Sequence, residues 1–590
     1  MKNCMSHLSD YKSLYSLRSD CKSDRTDMPF RESTPSNNLT LQTGYEYVIV
    51  TSNQFKNAFQ ELANWKNRKG IRSKVITVEE ITPLYTGATT QEKIKRALAD
   101  IDGLEYVLLG GDTLNVPTCM CFIGHHETAD TITPADVYYS CLGTMNWDTD
   151  GNGLYGELDD NVSMIPTLNV SRAPVSSIED VQTFVNRIIN YESMPDTTNW
   201  KDNILMSGTS LGDISDIDSL WHPFYLNGQS DTQIWSQSLY NSFIHPSGTN
   251  YPSWNGELTR FYDTYTDISL DGSYDFNATN LQTELAKGYT FADVMTHGSI
   301  SCWRMEGNYP FYDSSSADLL QNTSYTVITT TACLTNAFDY HSSTNRCLSQ
   351  HFLNNPNSGI LAYWGTSREN WYDPRTFYIG FSPNVMYDGW TYRKLFDDKY
   401  HRMGKAPMAV KTELLSHAVG SYEPYRKIWM GLNLMGDPEM PVYLSKPKVF
   451  QNVSIQFVND SIYVDAGTPD FDICFINQSD STDYYIARDI ENSEVVFSRL
   501  NGVYDVCITK PGYIPYTTVC GDTTYLQNIT MTGVKSYNTN NAMIGSDVTD
   551  KVAQGPVVVS NGSTSIKISQ GATITKDFEV LQGAEFTITN

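Results

Sequence analysis

The chain has 590 residues, enough for about four domains of ordinary size. It carries 41 basic against 67 acidic residues, a net charge of −26, which argues against a phosphate-binding surface and so against nucleic acid as a partner. With 40% hydrophobic and 18% charged residues, and no apolar run of the roughly 18 residues a membrane helix needs, the composition is that of a folded chain without a transmembrane segment.

Eleven cysteines are too few for a disulfide scaffold, and their odd number leaves at least one thiol unpaired within the chain. The acidic balance and the many Asn, Thr, Tyr and Ser residues suggest a secreted or cell-surface protein. The first 30 residues nevertheless contain no apolar stretch of signal-peptide type.

Residues 1–44 are polar and unpatterned and read as a tail or pro-segment. A strand–helix alternation then begins. YEYVIVT (45–51) is apolar. Phe55, Ala58, Phe59, Leu62 and Trp65 recur at helical spacing before Gly70, and KVITV (74–78) is the next strand. A helix over 91–100, a strand over 105–111 and a helix from Ile178 to Tyr191 complete a first α/β unit at 45–200. The pattern restarts with strands at 203–208, 289–298, 325–333 and 359–365. Helices are expected around 279–287, 344–353, 376–398 and 406–418, giving a second α/β unit at 201–445. Apolar strands alternating with amphipathic helices imply mostly parallel open sheets with helices on both faces.

The pattern changes at Lys446. VSIQFV, SIYVD, FDICFI and YDVCIT are short β-runs between turn residues and predict a β-sandwich over 446–533, with one pair among Cys474, Cys507 and Cys520 as a candidate disulfide. Residues 534–590 alternate as TSIKIS, ATITKDFEV and AEFTIT, a short β-rich tail or a piece of a β-solenoid.

Two strand ends carry the chemistry. VMTHGS (294–299) sets His297 and Gly298 just past one apolar strand, and TTTACL (330–335) sets Cys333 just past another. Ligands of open parallel sheets bind beyond the carboxyl ends of strands, so neighbouring strands would bring both side chains into one crevice. An imidazole beside a thiol favours the nucleophilic thiolate, and a glycine lets backbone approach a substrate closely. The amides of Gly298 and Cys333 are the candidate donors to a developing oxyanion. Cys302 is a rival thiol nearby.

A second motif is Asp148-x-Asp150-x-Asn152-Gly153, followed by Glu157, Asp159 and Asp160. Hard oxygen ligands at alternate positions around a turn glycine suit a structural Ca²⁺, with Asp148, Asp150, Asn152, Glu157 and Asp159 as ligands. Cys119, Cys121, His125, His126 and Cys141 are zinc-competent types at irregular spacing, and read as free thiols or a disulfide rather than a metal site.

The ordered His-Gly and Ala-Cys strand ends resemble the caspase-type cysteine peptidases, and more specifically the gingipain family. FQELANWKNRKGIRSKVITVEEI (59–81), EYVLLGGDTLNVPT (105–118), ADVYYSCL (135–142), Arg172-Ala173-Pro174, the helix ending Asn190-Tyr191-Glu192, and NLMGDPEMPVY (433–443) are similar to that family's segments. The resemblance covers about 45–533. It implies a caspase-like fold in two open sheets, an immunoglobulin-like domain behind it, and a cysteine endopeptidase acting on protein or peptide substrates through a thioester, with no cofactor in the chemistry. It implies Cys333 as nucleophile, His297 as general base and acid, and Gly298 and the Cys333 amide as oxyanion donors. The family's His-orienting carboxylate would fall in SGTSLGD (207–213), which has no Glu; Asp213 is the nearest acid. Ser215-Asp216-Ile217 resembles the segment that binds the substrate guanidinium, and Trp371 a tryptophan lining that pocket, which implies cleavage after Arg or Lys. Two other readings fit the same residues: an inactive scaffold carrying surface-binding β-domains, or a transpeptidase using the same thioester. The oligomeric state is not legible.

Overall fold

A computed structural model describes residues 39–124, 131–194, 202–211, 231–244, 254, 256–262, 276–305, 309–322, 324–340, 346–370, 383–396, 398, 400–419 and 423–590. Its centre is a ten-stranded sheet. In chain order the strands are β1 (Tyr47–Thr51), β2 (Ser73–Thr77), β3 (Tyr106–Gly110), β4 (Asn169–Ala173), β5 (Asn203–Gly208), β6 (Glu257–Tyr262), β7 (Phe291–Met295), β8 (Thr326–Thr330), β9 (Ile360–Thr366) and β10 (Leu432–Met435). In space they run β2-β1-β3-β4-β10-β9-β8-β7-β5-β6. The two open sheets expected from the sequence are thus joined edge to edge by β10, which pairs parallel with β4 and antiparallel with β9. All other pairs are parallel, so the second half runs opposite to the first.

Both faces are covered. On β5, β7 and β8 alternate residues serve different cores: Ile204, Met206, Phe291, Met295 and Val327 face one, and Leu205, Ala292, Val294 and Ile328 the other. That is why these strands read as unbroken apolar runs. Helix α1 (Lys56–Arg68) buries Phe59, Leu62, Ala63 and Trp65 and stops at Gly70, whose φ of +90° favours glycine. Helix α2 (Ile178–Ser193) begins with a Ser177/Asp180 capping box and buries Val181, Phe184, Val185, Ile188 and Tyr191.

An ion network with a fully buried centre ties these helices to the end of the sheet. The Lys66 ammonium lies 2.6 Å from Glu192, 2.8 Å from Asp437 and 2.7 Å from Glu439. Lys69 also contacts Glu192 and Glu439, Arg402 reaches Glu439 at 3.1 Å, and the Trp65 indole donates to Glu192 at 2.6 Å. The ring of carboxylates holds Lys66 charged in spite of its burial, and the surrounding cations hold Glu439 ionised.

A second buried pair has no such compensation. Asp293 on β7 and Asp388 on α3 (Pro383–Phe396) are both in the core. Asp293 accepts from Thr329 at 3.2 Å through one oxygen, and its other oxygen has no hydrogen-bond partner. Asp388 accepts from the Trp235 indole at 3.3 Å. Burial raises both carboxyls, Asp388 to about 7, and the negative charge of Asp388 raises Asp293 further. Since the folded-state value of Asp388 lies above its unfolded value of about 3.9, folding takes up a proton between them and stability falls as pH rises through that window. Asp388→Asn does not titrate and keeps the acceptor to Trp235. Its melting temperature relative to wild type is expected to climb from pH 4 to pH 7 and level off above, measured by calorimetry across pH. A difference that is flat with pH, or that shrinks, would contradict the buried neutral acid.

Beyond Lys446 two sheets face each other across a separate core of Phe457, Ile462, Phe471, Phe475, Phe497 and Tyr504. One sheet holds Phe471–Asn477, Tyr484–Ile490, Tyr504–Thr509 and Tyr516–Cys520, and Thr40–Leu41 adds to its edge against Tyr485 and Ile486. This part of the expected N-terminal tail is therefore a strand of the C-terminal region. The other sheet does not stop near residue 533. Thr523–Leu526 pairs parallel both with Phe457–Val458 and with 541–544, and the ladder continues in parallel through Val534–Ile544, Ser563–Ile574 and Glu585–Thr589. A second parallel ladder of Ile529–Met531, Val557–Val559 and Phe578–Val580 backs it. The tail is thus a short parallel solenoid grown on the sandwich. The described cysteines are free thiols. Cys474 and Cys507 sit directly opposite each other, yet Cys474 donates to the Arg68 carbonyl at 2.9 Å and helps dock the sandwich on α1.

Candidate active site

Strands β7 and β8 are neighbours, with Val294 opposite Thr330, so the chain leaves both at the same edge. His297 and Cys333 are each three residues beyond that register and both are half-buried. His297 opens a hairpin whose first arm is His297–Ser299 and whose second is Cys302–Met305. A β-carbon on Gly298 would stand 2.4 Å from the Cys333 carbonyl oxygen and 2.9 Å from the Thr335 methyl. Only glycine allows the histidine arm to lie directly on the cysteine loop.

The cysteine loop is clamped from the end of β9. The amide of Leu334 donates to the Arg368 carbonyl and that of Asn336 to the Thr366 carbonyl, each at 3.2 Å. The Asn370 side chain donates to the Thr331 carbonyl at 2.9 Å, and its main-chain amide points at the Cys333 sulfur at 3.3 Å. Leu334, next after the cysteine, has φ +60°, a strained value for a side-chain-bearing residue that this clamp sustains.

Burial raises the Cys333 thiol. The Asn370 amide and the Lys427 ammonium work against burial, while the Glu369 carboxylate adds to it. Burial lowers the His297 imidazole, offset in part by a hydrogen bond to the Leu211 main-chain carbonyl. At neutral pH both shifts favour the uncharged forms, a thiol on Cys333 and a neutral imidazole on His297. Among the described residues the hydrogen-bond partner of His297 is the Leu211 main chain, within the 207–213 stretch, and a backbone group is invisible to side-chain reading. Asn370, Glu369 and Lys427 also carried no signal in the sequence. Cys302 is buried in the hairpin with its sulfur 3.1 Å from the Ser299 hydroxyl, in contrast to the half-exposed Cys333.

Asp213, Asp216 and Trp371 lie outside the described residues, as do His125 and His126. Cys119 and Cys121 are buried thiols with sulfurs 3.6 Å apart, and burial pushes Cys141 up to about 12.

In the acidic loop, Asp148, Asp150 and Asp160 bring carboxylate oxygens within 4.8 Å of one another. Asp160, not Asp159, turns inward: the 3₁₀ turn Leu158–Asp160 buries Asp160, which accepts from the amides of Gly156 and Glu157 at 3.0 and 3.1 Å and leaves Asp159 exposed. Asn152 bonds to both Asp150 and Glu157 across the loop. The arrangement is one residue later than counting from Asp148 indicates, because the turn interrupts the spacing.

A largely parallel α/β sheet with a histidine and a cysteine on adjacent strand ends at one edge is the architecture of the caspase-like cysteine peptidases. A model of peptidase family C25 matches residues 40–443, and the chain belongs to that family. Lys-gingipain HG66 of Porphyromonas gingivalis is 22% identical over 512 residues, covering 80% of this chain and 25% of that protein. Gingipain R2 of Porphyromonas gingivalis W83 is 24% identical over 298 residues, covering 50% of this chain and 33% of that one. The chain thus spans a quarter to a third of the length of these relatives. The crystal structure of the Arg-specific cysteine proteinase gingipain R superposes with a TM-score of 0.57 at 16% identity, covering 82% of this chain and 99% of that one, a likeness of fold. Among the described residues no helix is long and apolar enough to cross a membrane.

Proposed function

We propose that this chain is a cysteine endopeptidase that cleaves protein or peptide substrates through a thioester on Cys333. The observation that carries the reading is the packing of His297-Gly298 onto the Cys333 loop at the carboxyl edge of adjacent strands. His297 takes the thiol proton as the sulfur attacks the scissile carbonyl, then gives it to the leaving amine. Water activated by His297 releases the acid and restores the thiol. The amides of Gly298 and Cys333 are the proposed donors to the oxyanion. Digestion of a peptide library, with cleavage sites read by mass spectrometry, tests this; a library left intact under reducing conditions would refute it. Secretion or surface display fits the acidic composition.

The proposed preference is for Arg over Lys before the cut, with Asp216 pairing the guanidinium at two oxygens and Trp371 flanking its stem. Asp216→Asn is then expected to depress turnover of Arg substrates far more than of neutral ones. Cuts after Asp or after large apolar residues would remove the acidic pocket and leave the cysteine chemistry standing.

For the acidic loop we propose a structural Ca²⁺ held by Asp148, Asp150 and Asp160, with Asn152 and Glu157 alongside. Converging carboxylates are hard donors that repel one another without a cation. Chelation is expected to lower the melting temperature of wild type, and Asp150→Ala to abolish the difference. Identical melting curves with and without chelator would dispose of the ion.

A further inference from the structure

The clamp after β9 runs along the cysteine loop in the opposite direction, with main-chain bonds at alternate residues, Asn336 to Thr366 and Leu334 to Arg368. An antiparallel ladder continued by one step would pair Ala332 with Asn370. That step is not made. The Ala332 carbonyl accepts the hydroxyls of Thr335 and Thr366, each at 3.2 Å, and its amide donates to the Thr330 hydroxyl at 3.1 Å. The main chain of Asn370 is thereby left to the cysteine. Its amide stands 3.3 Å from the Cys333 sulfur, and the thiol donates to its carbonyl at 3.8 Å. The Asn370 side chain is the tether. Its Nδ2 donates to the Thr331 carbonyl at 2.9 Å, two residues before the cysteine, while its Oδ1 is buried and has no hydrogen-bond partner among the described residues. A buried acceptor left unpaired costs stability, so stability alone does not account for this side chain.

We propose that Asn370 is a positioning residue for the nucleophile: its side chain, tied to the Thr331 carbonyl, holds its own main-chain amide on the Cys333 sulfur as a standing donor to the thiolate. The inference rests on Cys333 being the nucleophile. A thiolate only accepts hydrogen bonds, so an N–H aimed at the sulfur favours the charged form, whereas a carbonyl can accept only from the thiol. Of the two Asn370 groups on the sulfur the amide is the closer. It is a backbone donor fixed before any reaction, so it needs no rearrangement as the proton leaves. It is also separate from the amides of Gly298 and Cys333, whose proposed partner is the substrate oxygen. Among the described residues, the charged and titratable groups on the elements packed against the loop are His297 and Arg304 of the hairpin, Arg368 and Glu369 of the clamp, and Asp339 and Lys427, which pair with the last two. The variants below leave all of them in place.

The test is the pH dependence of Cys333 alkylation by iodoacetamide in the full chain, with the labelled site identified by peptide mass spectrometry. Asn370→Ala removes the tether and is expected to move the midpoint of the rate profile upward by about 0.5–1 unit, roughly three- to tenfold slower labelling at neutral pH. A second variant touches neither the sulfur nor Asn370. Thr335→Val with Thr366→Val frees the Ala332 carbonyl to take the Asn370 amide back into the ladder, and is expected to move the midpoint the same way. Where peptide cleavage is measured, kcat should fall in both with KM unchanged, because the amide meets the sulfur and not the substrate. A merely structural tether would lower the melting temperature and leave the profile in place. A profile unmoved or lowered in either folded protein overturns the proposal, and the threonine variant decides alone if Asn370→Ala does not fold. Labelling is scored without cleavage, so a shifted profile in a protein that cleaves nothing would refute the peptidase reading and keep the tether.

Discussion

Replacing Cys333 by alanine is expected to lower peptide cleavage by about 10⁵- to 10⁶-fold, the usual scale for losing a covalent nucleophile, while leaving the melting curve unchanged. The two halves of this expectation have separate grounds. The sulfur is half-buried, and the bonds that hold its loop are made by backbone groups and by Asn370, Thr335 and Thr366, all of which the variant keeps. The lost activity follows from the lack of an equivalent thiol among the described residues near the site: Cys302 is buried in the hairpin, and Cys347 is in the core with burial pushing it up to about 11. A Cys333→Ala protein that still cleaves, beside a Cys302→Ala protein that does not, would reassign the nucleophile.

The largest stability effect is expected at Lys66. This ammonium has no exposure and stands among Glu192, Asp437 and Glu439. Lys66→Met conserves most of the volume but leaves three buried carboxylates sharing Lys69 and Arg402. Breaking a buried ion network by removing one partner costs about 3–5 kcal/mol, because the remaining charges stay desolvated. Urea unfolding at pH 7 should show that loss as a lower midpoint with an unchanged slope. A cost below about 1 kcal/mol would mean that water or a proton replaces the lysine, and that the network does not hold α1 and α2 to the end of the sheet.

Much of this was legible in the linear order of residues. The apolar runs at 47–51, 106–110, 291–295 and 326–330 are buried on both faces, as expected of parallel strands covered by helices. His297-Gly298 and Cys333 were identifiable because each closes such a run, and the resemblance in NLMGDPEMPVY reached the network residues Asp437 and Glu439. The acidic loop was legible as a cluster, but its register was not, since a 3₁₀ turn exchanges Asp159 for Asp160 without changing the residue types.

The sequence by itself determined the α/β order, the β-rich C-terminal region and the two side chains at the strand ends, because local periodicity and residue type depend only on near neighbours along the chain. Only the tertiary structure decided the rest. It joined two sheets through the four residues Leu432–Met435, put Thr40–Leu41 on a sandwich more than 440 residues away, and ran that sandwich on into a solenoid. It also set the Leu211 main chain against His297 and brought Lys427 to Glu369, one residue before the amide that meets the Cys333 sulfur. Those choices rest on backbone hydrogen bonds and on ion pairs between distant segments, and neither leaves a periodic mark in the residues that make them.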